Sequence, residues 1–272
     1  IFIATTLAMS ACTPTSKTDE TMNRTIRIGT EQFTASLDSA LEWNGWFTVR
    51  YGIGETLFKV EDDMQIKPWL VSNAENIDAK TWKLTLRENI KFSDGTTMDA
   101  KSVVDNLHHI AQENARAAFL QGAEYEIDGY TITIKTVEPR ATLLSDLSDP
   151  MFAMLNLDSK EDKATMPIGT GPYKVKTFTA DQEIVLEPNT NYWNGTPKLE
   201  EITVTKMLEK ETAILALKNH ELDAYTEMNP EGIKQLQDSD EFDIHTIPSS
   251  RVYSMYMNTQ TLNDISLRKA IA

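Results

Sequence analysis

The stretch Pro167–Trp193, P-I-G-T-G-P-Y-K-V-K-T-F-T-A-D-Q-E-I-V-L-E-P-N-T-N-Y-W, decides the fold of this chain. Gly169 and Gly171 let the backbone turn where a Cβ atom would clash, and the flanking prolines fix φ. The residues that follow predict a strand over 173–178, a turn at 180–182 and a second strand over 184–186. The stretch therefore predicts a hairpin that begins at a rigid, bent segment. By spacing alone, a hairpin without functional meaning fits equally well.

Composition restricts the class of protein. The chain has 272 residues, 40% of them hydrophobic, and a net charge of −15. This is the composition of a soluble globular protein with a sizeable core. Because nucleic-acid binding needs a face rich in Lys and Arg, and no basic stripe is present, nucleic acid is excluded as a partner.

Ahead of the hairpin, the pattern predicts strands and helices that are not in simple alternation. The predicted elements are a strand over 82–87, a neighbouring strand over 90–93, a helix capped by Asp99, a strand over 130–136 and a short helix over 141–147. Val103, Leu107 and Ile110 form the apolar face of the capped helix. His108 and His109 on that helix point about 100° apart, so they do not predict a metal site.

Beyond the hairpin, strands alternate with helices. The predicted strands are 202–207, 223–225, 242–247 and 252–258, and the predicted helices are 211–219, 230–237 and a last one from Ser266 onward. This alternation indicates a βαβ layer with parallel pairing and right-handed crossovers.

Four ordered blocks carry a family resemblance. They are P-I-G-T-G-P-Y with N-x-N-Y-W-x-G-x-P-K-L, the early segments 55–70 and 81–96, the segment 216–223, and the segment 257–272. Together they resemble the family 5 extracytoplasmic solute-binding proteins. The resemblance implies an α/β fold, a type II periplasmic-binding-protein-like lobe whose mixed sheet is flanked by helices. It also implies a main subdomain at 24–45 and 168–272, an inserted α+β subdomain at 46–167, and a second lobe that is missing from this chain.

The same resemblance implies a function. We expect a receptor of an ATP-binding cassette importer that captures peptides or dipeptides by closure of two lobes and delivers them to the membrane permease. The alternative is a nickel or metal-chelate receptor, and the remote alternatives are a surface hydrolase and a structural lipoprotein. The sequence contains no G-x-S-x-G elbow, zinc signature, Cys/His pair or P-loop, so we expect a binding protein and not an enzyme. We expect no cofactor and no metal held by the chain itself. The resemblance also implies a monomer.

An aromatic segment supplies the first candidate ligand contacts. Trp43, Trp46, Phe47 and Arg50 lie beside a glycine just before Glu55, where the resemblance places the ligand cleft. Trp46 also stands at helical spacing from two apolar residues, Val49 and Ile53, so part of this stripe is expected in the core.

A second segment adds Arg116 and Phe119, at positions where the resembling nickel receptors place a basic residue and an aromatic residue in the cleft. Their i, i+3 spacing on a helix would let both touch one ligand that bears a carboxylate. A surface arginine with a buried phenylalanine fits the pattern equally well. The nickel receptors also carry an arginine in a later segment, and here residues 148–152 offer none. This difference favours a peptide as the ligand over a metal chelate.

The chain starts with an apolar run that ends at its one cysteine. Residues 1–11 are interpreted as an incomplete signal peptide, Cys12 as the lipidated residue of a lipobox with Met9 in place of the usual Leu, Val or Ile, and 12–23 as a flexible tether. A buried thiol is the alternative for Cys12. The expected location is extracytoplasmic, anchored by lipid to the cell membrane.

Overall fold

Residues 24–247 and 254–271 are described by the structure, a computed structural model. The chain divides into two units, one that ends at Met228 and one that begins at Asn229. Cys12 and the segments predicted to be signal peptide and tether lie outside the described residues. None of the described helices is both long enough and apolar enough to cross a membrane.

The described elements are eleven strands and six α-helices. The strands are β1 (Thr25–Thr30), β2 (Phe58–Val60), β3 (Ile66–Pro68), β4 (Val71–Asn76), β5 (Thr81–Leu86), β6 (Glu124–Asp128), β7 (Thr131–Lys135), β8 (Tyr173–Thr179), β9 (Glu183–Pro188), β10 (Glu201–Lys206) and β11 (Ala224–Tyr225). The helices are α1 (Gly45–Arg50), α2 (Ala100–Glu113), α3 (Leu143–Asp146), α4 (Lys210–Lys218), α5 (Pro230–Leu236) and α6 (Ile265–Ile271). Ala115–Leu120 and Pro150–Phe152 are 3-10 helices.

The hairpin of the opening stretch lies in a mixed five-stranded sheet of order β11-β1-β10-β9-β8. β8 and β9 pair antiparallel as predicted, and Asp181 in their turn has a positive φ of 58°. β1 pairs parallel with both β10 and β11, which confirms the predicted parallel pairing. Val175, Ile184 and Val204 bury one face of this sheet in a core that also contains Ile53.

The segment that precedes the hairpin forms an antiparallel sheet of order β4-β5-β7-β6 together with α2. Asp99 caps α2, because its carboxylate accepts the backbone N–H of Ser102 at 2.8 Å. The predicted apolar face of α2 is buried at Val103, Leu107 and Ile110. Residues 46–167 therefore contain both antiparallel strands and helices, as predicted. The boundaries of the subdomain stay a prediction.

The two glycines of the opening stretch allow two backbones to cross. A Cβ atom on Gly169 would lie 2.1 Å from the carbonyl oxygen of Ile53, and one on Gly171 would lie 2.2 Å from that of Gly52. Real Cβ atoms essentially never approach so closely, so only glycine fits at both positions. The crossing is hydrogen-bonded, with Gly171 N–H donating to Ile53 and Tyr173 N–H to Gly52, both at 2.9 Å. The opening stretch thus fixes the chain that leaves α1.

Three predicted strands are absent from the described residues. Around 90–93 only Lys91 forms a bridge, to Thr97, because the turn between them brings the chain back at once. Residues 242–247 and 254–258 are not strands. Alternating residue types favour an extended backbone, but a strand also needs a neighbour to pair with, and 242–247 and 254–258 have none in the described residues. Helix α6 begins at Ile265, one residue before the predicted start.

Candidate functional site

The six predicted ligand contacts lie at more than one place on the first unit. Trp43 and Trp46 are exposed, at 60% and 46%, whereas Phe47 is half-buried. Part of the predicted stripe does lie in the core, because Ile53 is fully buried, whereas Trp46 is not part of it. The reason is that Trp46 lies in the first turn of α1, on the side turned away from the core.

The position of Trp43 is fixed by the start of α1. A Cβ atom on Gly45 would lie 2.3 Å from the carbonyl oxygen of Pro150, so the helix start rests directly on the 3-10 helix there. Thr48 anchors the next turn by donating its hydroxyl to the Leu37 carbonyl at 2.7 Å. The start of α1, which follows Trp43, is thereby held against Pro150, the residue after Asp149.

Arg116 lies between Trp43 and Asp149, and we name these three residues the Trp43 cluster. The guanidinium donates from Nη1 to Asp149 Oδ2 at 2.9 Å and from Nη2 to Oδ1 at 3.5 Å. Its Cζ lies 4.1 Å from the centroid of the Trp43 ring, a cation–π contact. Both charged side chains are partly buried, with 31% and 28% exposed for Arg116 and Asp149. The cluster therefore presents an indole surface beside an ion pair.

Sequence reasoning missed Asp149 and Asn114. Asp149 also accepts the backbone N–H of Met151 at 3.0 Å, and an Asp directly before Pro in a turn is the signal that could have found this cap. Asn114 accepts the backbone N–H of Arg116 at 3.1 Å and donates to the carbonyl oxygen of Ala40 at 3.1 Å. Asn114 thus ties the arginine segment to the chain that leads to Trp43.

Phe119 does not share the surroundings of Arg116. Its ring packs edge-on against Phe152, with centroids 6.2 Å apart, and the Cζ of Arg140 lies 4.2 Å from its centroid. Arg140 is itself paired, through Nε, with Asp146 at 2.7 Å. Phe119 is thus a half-buried core contact covered by a second arginine.

Arg50 contacts Phe47 and lines a different concavity. The Cζ of Arg50 lies 5.6 Å from the Phe47 ring, and Arg50 with Tyr51 lines a cavity of about 390 Å³. The floor of this cavity is apolar, formed by Ile28, Leu186, Ile202 and Val204. Burial raises the pKa of the Tyr51 hydroxyl. Of the predicted contacts, Trp43 and Arg116 therefore lie in the Trp43 cluster, and Arg50 lines this cavity.

A second combination of tryptophan and charge lies inside the first unit. Glu55 is only 8% exposed, and its Oε1 accepts Trp69 Nε1–H at 2.8 Å and the Tyr192 hydroxyl at 2.9 Å. Its Oε2 accepts Trp193 Nε1–H at 2.9 Å. Burial raises the pKa of Glu55, and the three donors oppose that shift. We name these four residues the Glu55 clamp.

Metal-binding groups are not assembled in the described ranges. Within 24–247 and 254–271, no set of three His, Cys, Asp or Glu side chains is placed to hold a metal ion. His108 instead packs edge-on against Tyr125, with ring centroids 4.7 Å apart.

The chain is similar to known proteins. The family described as bacterial extracellular solute-binding proteins, family 5 middle, matches residues 65–272. The nickel-binding protein NikA of Staphylococcus aureus is 28% identical over 225 residues, which are 82% of this chain and 46% of NikA. The probable D,D-dipeptide-binding periplasmic protein DdpA of Escherichia coli is 27% identical over 228 residues, 78% of this chain and 43% of DdpA.

Among solved structures, NikA from Staphylococcus aureus in complex with Ni(L-His)₂ superposes with a TM-score of 0.74 at 27% identity. The match covers 79% of this chain and 46% of that one. The chain thus spans less than half the length of these relatives.

Proposed function

The chain belongs to family 5 of the bacterial extracellular solute-binding proteins, and from this premise we propose that it is the ligand-capturing part of an ATP-binding cassette importer receptor. Proteins of this family are binding proteins of transporters. The proposed partner is the membrane permease of the importer, and the receptor acts as a monomer. Capture proceeds by closure of two lobes over the solute.

The proposed ligand is a short peptide. The observation that carries this proposal is the Trp43 cluster, in which Trp43 is exposed beside an arginine that is already paired, and Trp46 is exposed as well. Exposed indole rings supply broad apolar contact area that tolerates different side chains. Since Asp149 occupies the guanidinium of Arg116, the cluster has no spare cation for an anionic chelate.

A metal chelate is the second candidate. It is supported by the nickel-binding relative and by the solved structure of a relative with Ni(L-His)₂. Because the described residues offer no set of metal ligands, the metal would arrive with its own organic ligands. The exposed indoles would then contact those ligands and not the ion.

Native mass spectrometry of the protein as its gene encodes it tests both candidates. The protein is purified without refolding, so that a ligand acquired in the cell is retained, and is then denatured to release it. A ladder of short peptides supports the peptide proposal, and one metal-containing mass that a chelator removes supports the second candidate. If nothing co-purifies and calorimetry detects neither peptide nor chelate binding, the proposed function is wrong.

We also propose that Cys12 carries a lipid that holds the protein at the outer side of the cell membrane. The support is the lipobox-like sequence Leu7–Cys12. The variant Cys12→Ser is expected to move the protein from the membrane fraction to the soluble fraction. An unchanged distribution, with no incorporation of labelled palmitate in the original protein, would contradict the anchor.

A further inference from the structure

The charge of the Trp43 cluster is balanced inside the cluster itself. Arg116 donates to both oxygens of Asp149, at 2.9 and 3.5 Å, so the positive group faces a carboxylate of the chain before any ligand arrives. Glu42, the exposed residue before Trp43, adds a negative charge nearby, and its carbonyl oxygen accepts a further hydrogen bond from Arg116 at 3.4 Å. The surface around Trp43 is therefore neutral to negative.

Asp149 cannot easily leave Arg116. Its Oδ1 accepts the Met151 backbone N–H at 3.0 Å, and its own backbone N–H donates to the Asp146 carbonyl at 3.0 Å. Pro150 fixes the φ angle that follows. A ligand carboxylate that approached Arg116 would thus meet a carboxylate held in place, and like charges at short distance repel.

We infer that Asp149 is a specificity-determining residue, which makes the cluster accept ligands whose contacting group is neutral or positively charged and reject anionic ones. This inference rests on the proposed function and concerns the same site. The inference applies to peptides and to metal chelates. A peptide would contact the cluster with its ammonium end or a neutral part, and a chelate would need to be uncharged. A positively charged group would gain a hydrogen bond to Asp149, whereas an anionic group would gain no partner there.

The test uses probes that differ in charge within each class. Trialanine amide is positively charged and N-acetyl-trialanine is negatively charged at neutral pH, while Ni(L-His)₂ is neutral and Ni–EDTA is anionic. Dissociation constants are measured by calorimetry for the original protein and for Asp149→Asn, which removes the charge with little change of shape. We expect the original protein to prefer the neutral or cationic probe, and the variant to reduce that preference about tenfold.

Two further variants keep the result interpretable. Asp149→Glu retains the charge and should retain the preference. Asp223→Asn is the matched control, because Asp223 forms a similar two-oxygen pair with Arg27 on the five-stranded sheet, at 2.9 and 3.1 Å, away from the cluster. It should leave the preference within about twofold.

If probes bind but Asp149→Asn keeps the original preference, or if Asp223→Asn changes it as much, the inference is overturned while the proposed function stands. If no probe binds to any form of the folded protein, the proposed function fails and the inference fails with it.

Discussion

In the Glu55 clamp, two indole rings donate their N–H groups to a buried carboxylate, whereas in the Trp43 cluster the ring face of an exposed tryptophan contacts a paired guanidinium. The carboxylate of the clamp is 8% exposed, and the tryptophan of the cluster is 60% exposed. Similar residue types thus serve different purposes in the two regions, and the regions differ in whether the charged group is buried. A buried charge makes its partners necessary for stability, while an exposed ring remains available to a ligand.

The largest expected effect lies in the backbone crossing between residues 52–53 and 169–171. Gly171→Ala would place a Cβ atom 2.2 Å from the Gly52 carbonyl oxygen, so we expect a loss of at least about 4 kcal/mol in the free energy of unfolding, or no folded protein. Gly129→Ala is the control: its φ is 59° but nothing lies within 4 Å, so about 1–2 kcal/mol is expected. If urea denaturation shows equal losses of stability for Gly171→Ala and Gly129→Ala, the close backbone approach at Gly171 is contradicted.

The clamp itself should come next. Glu55→Gln keeps the shape but replaces one acceptor oxygen with an N–H₂ group that faces an indole or hydroxyl donor, so a buried donor loses its partner. We expect a loss of about 2–3 kcal/mol in the free energy of unfolding at pH 7. The control Glu124→Gln changes an exposed carboxylate that pairs with Lys135, and should cost less than about 0.5 kcal/mol. Equal losses in the two variants would show that burial does not make the Glu55 carboxylate more important for stability than the exposed carboxylate of Glu124.

The pH dependence sharpens the same point. Burial raises the pKa of Glu55 above its ordinary value of 4.5, so the folded state binds this proton more tightly than the unfolded state does. The contribution of Glu55 to the free energy of unfolding is therefore greatest below pH 4.5 and declines as pH rises through the folded pKa, by at most about 1.4 kcal/mol per pH unit. The difference between the original protein and Glu55→Gln should decline likewise. A difference that grows with pH would mean that the three donors outweigh burial.

The sequence predicted the bent start of the hairpin but not the segment that it crosses. Two closely spaced glycines with flanking prolines report a local backbone constraint, whereas the segment that they cross, Gly52–Ile53, is distant in the chain and gave no such signal. Strands β8, β9 and β10 and the cap at Asp99 were likewise local and predictable.

The rest depended on contacts between distant parts of the chain. Arg116 meets Asp149 across 33 residues, and Glu55 meets Trp193 across 138, and neither spacing has a periodic signature. The aromatic segment was predicted as a group, but packing separated Trp43 from Phe47 and left Phe119 beneath Arg140. The same limit explains the strands expected at 242–247 and 252–258, because a strand depends on a neighbour that alternation cannot reveal.

The smallest expected effect gives the most direct comparison, because one chemical change is made at both places. Trp→Phe removes the indole N–H and keeps an aromatic face. At Trp193 it deletes a hydrogen bond to a buried carboxylate, so we expect a loss of about 1–2 kcal/mol in the free energy of unfolding. At Trp43 the contact to Arg116 uses the ring face, so Trp43→Phe should change stability by less than about 0.5 kcal/mol and weaken ligand binding only a few-fold. Urea denaturation and calorimetry measure the two quantities separately. A larger stability loss at Trp43 than at Trp193 would reverse the roles assigned to the two regions, since the exposed ring would then hold the fold together more firmly than the buried clamp.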